Sequence, residues 1–251
     1  MKKEIRIDEL RVMMLDALAL RGIGSEDADF IVDDFLDAEL EGHKTHGVSK
    51  FLTLDIGLSG REGSIEIVSR IGGHAKIDGH RELGHIAARQ AAAFSVELAK
   101  EYGVGLVALT NVSRYARLVP YSRLIAERGC IGIVTNNGGP AHVVPFGGSA
   151  PMFGTNPLSF GFPQGEKPPL LFDFATAQGV WGELRQAIVE ERSLPERTFL
   201  DAAGAFTTDP QRVQGVLPFG GARGAALCMA LEILTGAFVG AKMGGEIRDE
   251  Y

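Results

Sequence analysis

The sequence contains only two cysteines, Cys130 and Cys228, among its 251 residues. Each lies inside an apolar run, where a thiol most often acts as a small buried hydrophobe. Such sparse use of cysteine fits a reducing compartment. We therefore expect a cytoplasmic protein.

A basic block is also missing. Lys and Arg together number 25 and Asp and Glu 32, which gives a net charge of −7, and charges of both signs are interspersed along the chain. A protein that follows a nucleic-acid backbone needs clustered cations. The sequence therefore predicts no nucleic-acid partner.

Long uncharged apolar runs are missing as well. The N-terminal stretch MKKEIRIDEL has positive charges with no apolar segment behind them, so it predicts no signal peptide. The most apolar window, Ala225–Ala241, carries Glu232 and several glycines and is short for a membrane span. We expect a buried helix there, and no membrane partner.

The glycine pattern of doubly wound dinucleotide-binding folds does not occur in the required context. The nearest match to G-x-G-x-x-G is Gly103, Gly105 and Ala108, which follow a predicted helix and begin a predicted strand. A loop that wraps a pyrophosphate lies instead after a strand and before a helix. The sequence therefore argues against a Rossmann site.

Helix and strand patterns that alternate along the chain predict an α/β fold. The apolar fraction of 45% and the charged fraction of 23% are ordinary for a globular protein with a substantial core. Strand 104–109, helix 118–128 and strand 130–135 indicate a βαβ unit, and hence a parallel or mixed sheet covered by helices. The other predicted helices lie at about 8–21, 25–41, 83–102 and 178–191, and the other predicted strands at 65–71, 75–78, 158–162 and 170–174.

A break of glycine and polar residues, SGREGS, suggests how the chain is divided. Residues 1–62 are predicted to form an N-terminal helical segment, with Asp8 and Ser25 as candidate N-caps, and residues 63–251 an α/β domain. Within that domain TFLDAAGAFTTDP predicts a hairpin-like excursion that turns at Gly204 and ends at Pro210.

The stretch AELEGHKTHGVSKF carries the strongest candidates for chemistry. At helical spacing its residues His43, His46 and Lys50 would share one face. Thr45 precedes His46 and places a hydroxyl beside the imidazole. Because histidine titrates near neutrality, His46 can give a proton to a developing alkoxide and take it back in the reverse direction.

Two other interpretations apply to these histidines. His43 fits a solvated side chain or a helix C-terminal contact as well as it fits a site. A metal could face histidines three residues apart, but no third histidine or cysteine lies at a supporting distance. We therefore predict no metal.

Two further segments are candidates for binding an anion. Asn111, Arg114 and Arg117 follow a predicted strand, where open α/β sheets place ligand-binding loops; the alternative is a solvated basic turn. Pro218–Gly224, PFGGARG, presents backbone amides ahead of a helix and suits an anion. Close helix packing through glycine explains this second segment equally well.

Eight sequence blocks, in order, resemble those of the malate/L-lactate dehydrogenase family that is distinct from the Rossmann lactate dehydrogenases. Together they span nearly the whole chain, which makes the resemblance specific. The blocks are THGVSK at 45–50, IDGHRELGHIAARQA at 77–91, GVGLVALTNVSRYA at 103–116, IGIVTNNGGP at 131–140, FGTNPLSFGFP at 153–163, DFATA at 173–177, LDAAGAFTTDP at 200–210 and LPFGGARGAAL at 217–227.

The resemblance implies an NAD(P)-dependent reduction of a small 2-oxo acid, or a related cyclic imine carboxylate, on a non-Rossmann α/β fold, usually in a homodimer. By the same resemblance His46 is the proton donor, Thr45 stands where the family has an orienting serine, and Lys50 stands where it has an arginine for the substrate carboxylate. The resemblance further implies that residues 63–251 form the domain that binds NAD or NADP. Its implied contacts are Asn136, Thr155, Asn156, Asp173, Phe174, Ala175, Gly221, Arg223 and Gly224, and Arg114 is a further candidate contact.

The chain departs from the family pattern at Arg114, where the family has a histidine. Arginine stays protonated and cannot transfer a proton, so Arg114 is expected to bind an anionic substrate or the cofactor phosphate. Family chains also run further than Tyr251, and we expect this chain to lack that C-terminal part. The alternative function is a relative that has lost catalysis and binds a nucleotide or a partner protein.

Overall fold

The computed structural model describes residues 4–54, 58, 61, 62 and 64–247, and within these ranges it contains seven α-helices and nine strands. The helices are α1 Ile7–Ala19, α2 Ser25–Leu40, α3 Val48–Phe51, α4 Gly84–Tyr102, α5 Val119–Glu127, α6 Trp181–Val189 and α7 Ala222–Thr235. The strands are β1 Glu66–Ile71, β2 His74–Glu82, β3 Leu106–Val112, β4 Gly132–Thr135, β5 Leu158–Gln164, β6 Lys167–Phe174, β7 Phe199–Asp201, β8 Phe206–Thr207 and β9 Val213–Val216.

The N-terminal helical pair is present, with different caps from those predicted. Arg6 and Gly24 occupy the N-cap positions of α1 and α2, so Asp8 and Ser25 lie inside the helices. A core cluster that includes Leu18, Ile31 and Phe35 also takes in Leu83 and Ile86 from the start of α4. This core therefore crosses the boundary predicted at residue 62, and the division into two domains stays a prediction.

The first sheet has the order β1-β2-β3 and is mixed. β1 and β2, both predicted as strands, form an antiparallel pair with Ile71 opposite His74, and β2 runs parallel to β3. The long helix α4 connects the parallel strands and ends at Gly103, whose φ of 83° closes the last turn. The βαβ unit of the chain is thus β2-α4-β3.

The second sheet is antiparallel, with the order β4-β5-β6. The predicted βαβ unit of strand 104–109, helix 118–128 and strand 130–135 is wrong. Its two strands, β3 and β4, belong to different sheets. β4 instead pairs with β5, placing Gly132 opposite Gly161. A side chain on Gly161 would collide with the carbonyl of Ser122, so glycine lets α5 lie directly on this sheet.

The third sheet, β8-β7-β9, contains the predicted hairpin. β7 and β8 pair antiparallel around Gly204, at a φ of 77°, and β9 adds a strand that the sequence did not predict. Phe199 from β7 and Val216 from β9 pack against Leu184 of α6 in a second core cluster. The predicted α/β class with an N-terminal helical segment is confirmed, although the single mixed sheet is replaced by three small ones.

The last helix is only partly buried. Residues 222–239 are apolar and long enough to cross a membrane by length and composition, and 33% of that window is buried. A core helix passes the same test, and Glu232 is buried in its middle and accepts a hydrogen bond from Asn156 Nδ2 at 2.7 Å. Cys228 on the same face is buried, as predicted, whereas Cys130 is half-buried.

Candidate active site

The predicted helical face carrying His43, His46 and Lys50 does not form. α2 ends at Leu40, and Gly42 follows in a left-handed conformation with a φ of 84°. Residues 44–46 then make one 3₁₀ turn, and α3 begins after the extended Gly47. Lys50, in α3, nevertheless lies near enough to His46 for its charge to lower the pKa of that imidazole.

Glu39 fixes the position of this turn. Its Oε2 accepts a hydrogen bond from the Val48 amide at 3.1 Å. A side chain on Gly47 would displace the same carboxylate oxygen, so glycine at this position is compatible with the hydrogen bond between Glu39 and Val48. Glu39 was not among the predicted site residues, and it acts as a support for the histidine next to Gly47.

The imidazole of His46 is oriented by its neighbour. Thr45 Oγ1 and His46 Nδ1 are hydrogen-bonded at 3.0 Å, and either partner can donate, depending on the tautomer. Thr45 in turn packs on Gly182 in the first turn of α6, where an added methyl group would lie 2.7 Å from Thr45 Cγ2. With Nδ1 engaged in this way, Nε2 is left as the nitrogen that can exchange a proton with a ligand.

Burial lowers the pKa of His46, and the positive charge of Arg117 lowers it further. Lys50 and His43 act in the same direction. All of these effects disfavour the imidazolium, since it would be a further cation in a partly desolvated place. Binding of an anion nearby would offset them, so the pKa of His46 would depend on the charge of a bound ligand.

Three cations from separate elements meet beside His46. Lys50 comes from α3, Arg114 from the segment after β3, and Arg185 from α6. Burial lowers the pKa of Lys50, and the charges of Arg114 and Arg185 lower it further. Partial burial and Arg185 likewise lower the pKa of Arg114. The arrangement attracts anions.

His142 and Trp181 form one wall of the same region. Their rings are stacked, with centroids 4.0 Å apart and planes 8° from parallel. Burial lowers the pKa of His142, and so does Arg185. The stacked rings of His142 and Trp181 present a flat apolar surface with cations near its edge. Such a surface suits the planar part of a small ligand.

Behind the site lies a buried network centred on Arg117. Its Nε donates to Asp34 Oδ1 at 2.7 Å, and it also pairs with Glu41. The other carboxylate oxygen, Asp34 Oδ2, is 3.8 Å from His85 Nε2, and both side chains are 1% exposed. Arg117 is therefore not the solvated turn residue that was the alternative prediction. It is tied to the core and acts on His46 only through its charge.

The predicted cofactor blocks come together through backbone hydrogen bonds. The carbonyl of Thr155 accepts from the amide and the hydroxyl of Thr176, both at 2.9 Å. The carbonyl of Thr176 in turn accepts from the Phe219 amide at 3.0 Å. Phe174 meets Phe219 edge to face, with centroids 6.1 Å apart, and Ala175 packs on the second core cluster. Three segments that are distant in sequence thus form one surface.

Three predicted contacts in this region are engaged within the protein. Asn136 Nδ2 donates to Tyr115 at 3.0 Å, while its buried Oδ1 has no partner among the described residues. Asn156 is fully buried: it accepts from the Gly138 amide and donates to Glu232, so it shapes the surface from behind. Asp173 Oδ2 accepts from the amides of Leu118 and Val119 and so caps α5.

The glycine segment before α7 has a geometry compatible with both of its predicted interpretations. Gly220 and Gly221 have φ of 61° and 63°, and no atom lies within 4 Å of the space that a side chain on Gly220 would fill. Their amides precede the helix on which Arg223 is exposed, an arrangement that suits a phosphate. Gly224, by contrast, packs so closely on the Phe219 carbonyl that any side chain would collide with it. With the open acceptor of Asn136, these residues fit a dinucleotide.

Besides Glu39, the sequence analysis missed three residues of the site: Trp181, Arg185 and His142. The signal that could have found the first two is the only tryptophan of the chain, followed by Gly182 and, one turn later, by an arginine. His142 lies in a loop without regular pattern, and nothing in the sequence distinguishes it. Among the described residues no group of three or more His, Cys, Asp or Glu could hold a metal ion.

Comparison with known proteins yields one family. A model of the family described as malate/L-lactate dehydrogenase matches residues 5–251. L-sulfolactate dehydrogenase of Methanocaldococcus jannaschii is 35% identical over 247 residues, covering 95% of this chain and 71% of that protein. Delta(1)-pyrroline-2-carboxylate reductase 1 of Burkholderia ambifaria is 30% identical, covering 94% and 71%. The crystal structure of a dehydrogenase from Sinorhizobium meliloti superposes with a TM-score of 0.90 at 28% identity, covering 98% of this chain and 74% of that one.

Proposed function

The chain belongs to the malate/L-lactate dehydrogenase family, and from that premise we propose that it interconverts a small 2-oxo acid and its 2-hydroxy acid with NAD or NADP. A cyclic imine carboxylate and its amino acid form the neighbouring substrate class. The predicted family and its enzyme class, hydroxyacid dehydrogenase, are confirmed by the relatives. Our proposal concerns three further points: the substrate, the cofactor and the residues that carry out the reaction. The homodimer and the cytoplasmic location stay predictions.

The observation that carries the proposal is His46, oriented by Thr45 beside three cations. A nicotinamide cofactor, when bound, supplies the hydride for carbon 2 of the substrate. His46 supplies the proton for the oxygen on that carbon, and in the oxidative direction it takes the proton back. The Thr45 hydroxyl keeps the imidazole in place by its bond to Nδ1.

Lys50 and Arg114 hold the substrate acid group. Their charges attract a carboxylate and keep carbon 2 next to His46. Arg114 cannot donate a proton at any working pH, so its part is electrostatic. Lys50 is a point charge, and it orients a carboxylate less strictly than a guanidinium would.

The test is to mix the protein with NADH or NADPH and a panel of 2-oxo acids and cyclic imine carboxylates, and to follow oxidation of the nicotinamide. The His46→Ala variant should lose about 100- to 10,000-fold in kcat, the range of general acid catalysis. His43→Ala, its matched control, should keep nearly full activity. Nucleotide binding is measured in parallel by fluorescence.

Two results would contradict this proposal. Turnover that survives His46→Ala unchanged would refute the proton donor. Nucleotide binding by the wild-type protein, without turnover across the whole panel, would favour the alternative of a nucleotide- or partner-binding relative that has lost catalysis.

A further inference from the structure

Glu232 is a buried carboxylate of α7 that the proposed reaction does not use. Its side chain is enclosed, with the residue 1% exposed. Its Oε2 accepts from Asn156 Nδ2 at 2.7 Å, and its Oε1 accepts from the Gly244 amide, also at 2.7 Å. Both donors are uncharged amides. An ionised carboxylate offers two acceptor oxygens and no donor, so this pair of bonds requires glutamate where glutamine has nearly the same shape.

Through Asn156, Glu232 acts on the loop after β4. Asn156 is fully buried: its Oδ1 accepts from the Gly138 amide at 3.1 Å, and its Nδ2 also donates to the Cys228 carbonyl at 3.0 Å. The φ of Asn156 is 37°, in the left-handed region, where a residue with a Cβ persists only when surrounding contacts hold it. The bonds to Glu232 and Cys228 therefore keep Asn156 in the orientation that receives Gly138.

The loop that Gly138 belongs to carries an open acceptor of the surface expected to hold the nucleotide. Asn136, two residues earlier, has a buried Oδ1 without a partner among the described residues, which suits an N–H group of a ligand. Gly138 packs so closely on Thr155 that an added methyl group would lie 2.5 Å from Oγ1 of that residue. The position of the open acceptor thus depends on where Asn156 holds Gly138.

The same carboxylate also fixes the segment that follows α7, residues 242–244. Its Oε1 holds the Gly244 amide, and Asn137, in the loop after β4, donates from Nδ2 to the Lys242 carbonyl at 2.8 Å. The loop and this segment are joined twice, once directly and once through the buried carboxylate. A change in one of them is therefore transmitted to the other.

We propose that Glu232 is a positioning residue for the nucleotide, and that it holds the loop after β4 and the segment 242–244 in the one arrangement that binds it. That the ligand is a nucleotide rests on the proposed function above. Glu232 acts through Asn156 and Gly244, and it takes no part in proton transfer. Because only the assembled arrangement binds, a loss in its population raises the Kd by the same factor and leaves the chemical step unchanged.

The test uses substitutions that keep the size of the side chain. Glu232→Gln replaces one acceptor by a donor, which then faces the N–H of Asn156 or of Gly244. We expect a Kd for NADH or NADPH about 10- to 100-fold higher, measured by fluorescence titration. Asn156→Asp places a second carboxylate against Glu232 and should also weaken binding.

The double variant Asn156→Asp, Glu232→Gln exchanges donor and acceptor within the pair. The new amide can donate to the new carboxylate and still accept from the Gly244 amide, so binding should recover about 5-fold over Glu232→Gln. It should stay weaker than in wild type, because the bond to the Cys228 carbonyl is lost. A double variant that binds no better than Glu232→Gln overturns the inference.

A matched control separates this effect from a general loss of stability. Glu166→Gln makes the same replacement at an exposed residue between β5 and β6 and should leave the Kd unchanged. Urea denaturation of every variant measures global stability alongside the titration. An unchanged Kd in Glu232→Gln, even with lower stability, shows a merely structural role and overturns the inference.

Hydrogen exchange of the wild-type protein tests the coupling without any variant. A bound nucleotide should slow exchange of the Gly138 and Gly244 amides together, since both donate to the pair of Asn156 and Glu232. Protection of Gly138 with no change at Gly244 refutes the coupling.

Kinetics keep this inference distinct from the proposed function. At saturating cofactor Glu232→Gln should keep kcat within about 2-fold while the KM for the cofactor rises, the reverse of the pattern expected for His46→Ala. Nucleotide binding that depends on Glu232, without turnover, supports this inference and contradicts the proposed function. Turnover with a cofactor KM that Glu232→Gln does not change does the opposite.

Discussion

Gly182 lies directly against Thr45, so that a methyl group added at position 182 would be 2.7 Å from Thr45 Cγ2 and 2.9 Å from its Cβ. Thr45 is the residue that holds the imidazole of His46. The first turn of α6 therefore sets the position of His46, the proposed proton donor, by packing on Thr45.

Gly182→Ala should lower kcat by about 10- to 100-fold, because a displacement near 1 Å at a reacting group has effects of this size. Removing the Thr45 methyl group in the double variant Gly182→Ala, Thr45→Ser should restore part of the loss. Steady-state kinetics of the single and double variants check this. The control is Gly245→Ala, which adds a methyl group where no atom lies within 4 Å. Full activity in Gly182→Ala would contradict the contact.

Lys50→Met should raise the pKa of His46. The positive charges of Arg117 and Lys50 lower that pKa, so removing one of them favours the imidazolium. Reduction needs the protonated form, and wild-type activity is therefore lost as pH rises through a value below the ordinary 6.5. The pH profile of kcat/KM should show this loss at higher pH in the variant. An unchanged midpoint would mean that Lys50 does not act on His46.

Asp34 and His85 should make opposite contributions to stability as pH changes. Burial raises the pKa of Asp34 to about 6, so the stability linked to its protonation is present at low pH and lost as pH rises through 6. Burial lowers the pKa of His85 to about 4, so the stability linked to its neutral form is present above 6.5 and lost as pH falls through 4. Between about pH 4 and about pH 6 the two effects nearly cancel.

His85→Leu removes one side of this balance. The free energy of unfolding of the variant, relative to wild type, should rise as pH falls from 6.5 to 4, with a slope of at most about 1.4 kcal/mol per pH unit. Urea denaturation at a series of pH values measures this difference and cancels the groups that both proteins share. A difference that is independent of pH would show that the buried imidazole is not held neutral.

Gly221→Ala should weaken nucleotide binding. Gly221 has a φ of 63° and a ψ of −128°, a conformation that residues with a Cβ adopt at a cost of about 1–3 kcal/mol. We expect a Kd for NADH at least about 10-fold higher, measured by fluorescence titration, because a 1.4 kcal/mol change is tenfold. Gly245→Ala again serves as the control. Normal binding in Gly221→Ala would favour the packing role of this segment over the anion cradle.

Local sequence patterns predicted most helices and strands of the fold. They also identified His46 as a candidate site residue. The helix expected over 83–102 is α4, and its stop at Gly103 is present, because alanine content and a terminal glycine act within a few residues. His46 and Lys50 lie near each other, as expected, although the chain between them does not form one helix. Their closeness depends on Glu39, which is seven residues before His46 and holds the turn.

Sheet partners and the outer part of the site could not be predicted in the same way. An apolar run shows that Gly132–Thr135 is a strand, but its partner is set by how Gly161 packs under α5, far along the chain. Arg185 and His142 join the site only through the Trp181 stack and the Gly182 contact. Arginine and histidine are common on any protein surface, so the residue types alone do not predict this meeting. Only the lone Trp181 one turn before Arg185 gives a signal in the sequence.

Asn156 has a consequence for how the protein folds. Its side chain joins the loop at Gly138 to the carbonyl of Cys228 and the carboxylate of Glu232, a residue 76 positions later. Bonds between such distant positions require the closure of a large loop, which slows folding. The surface expected to hold the nucleotide is therefore assembled after the local helices, when the last helix docks. A nucleotide that binds only the assembled surface will act as a ligand of the folded state and raise its Tm.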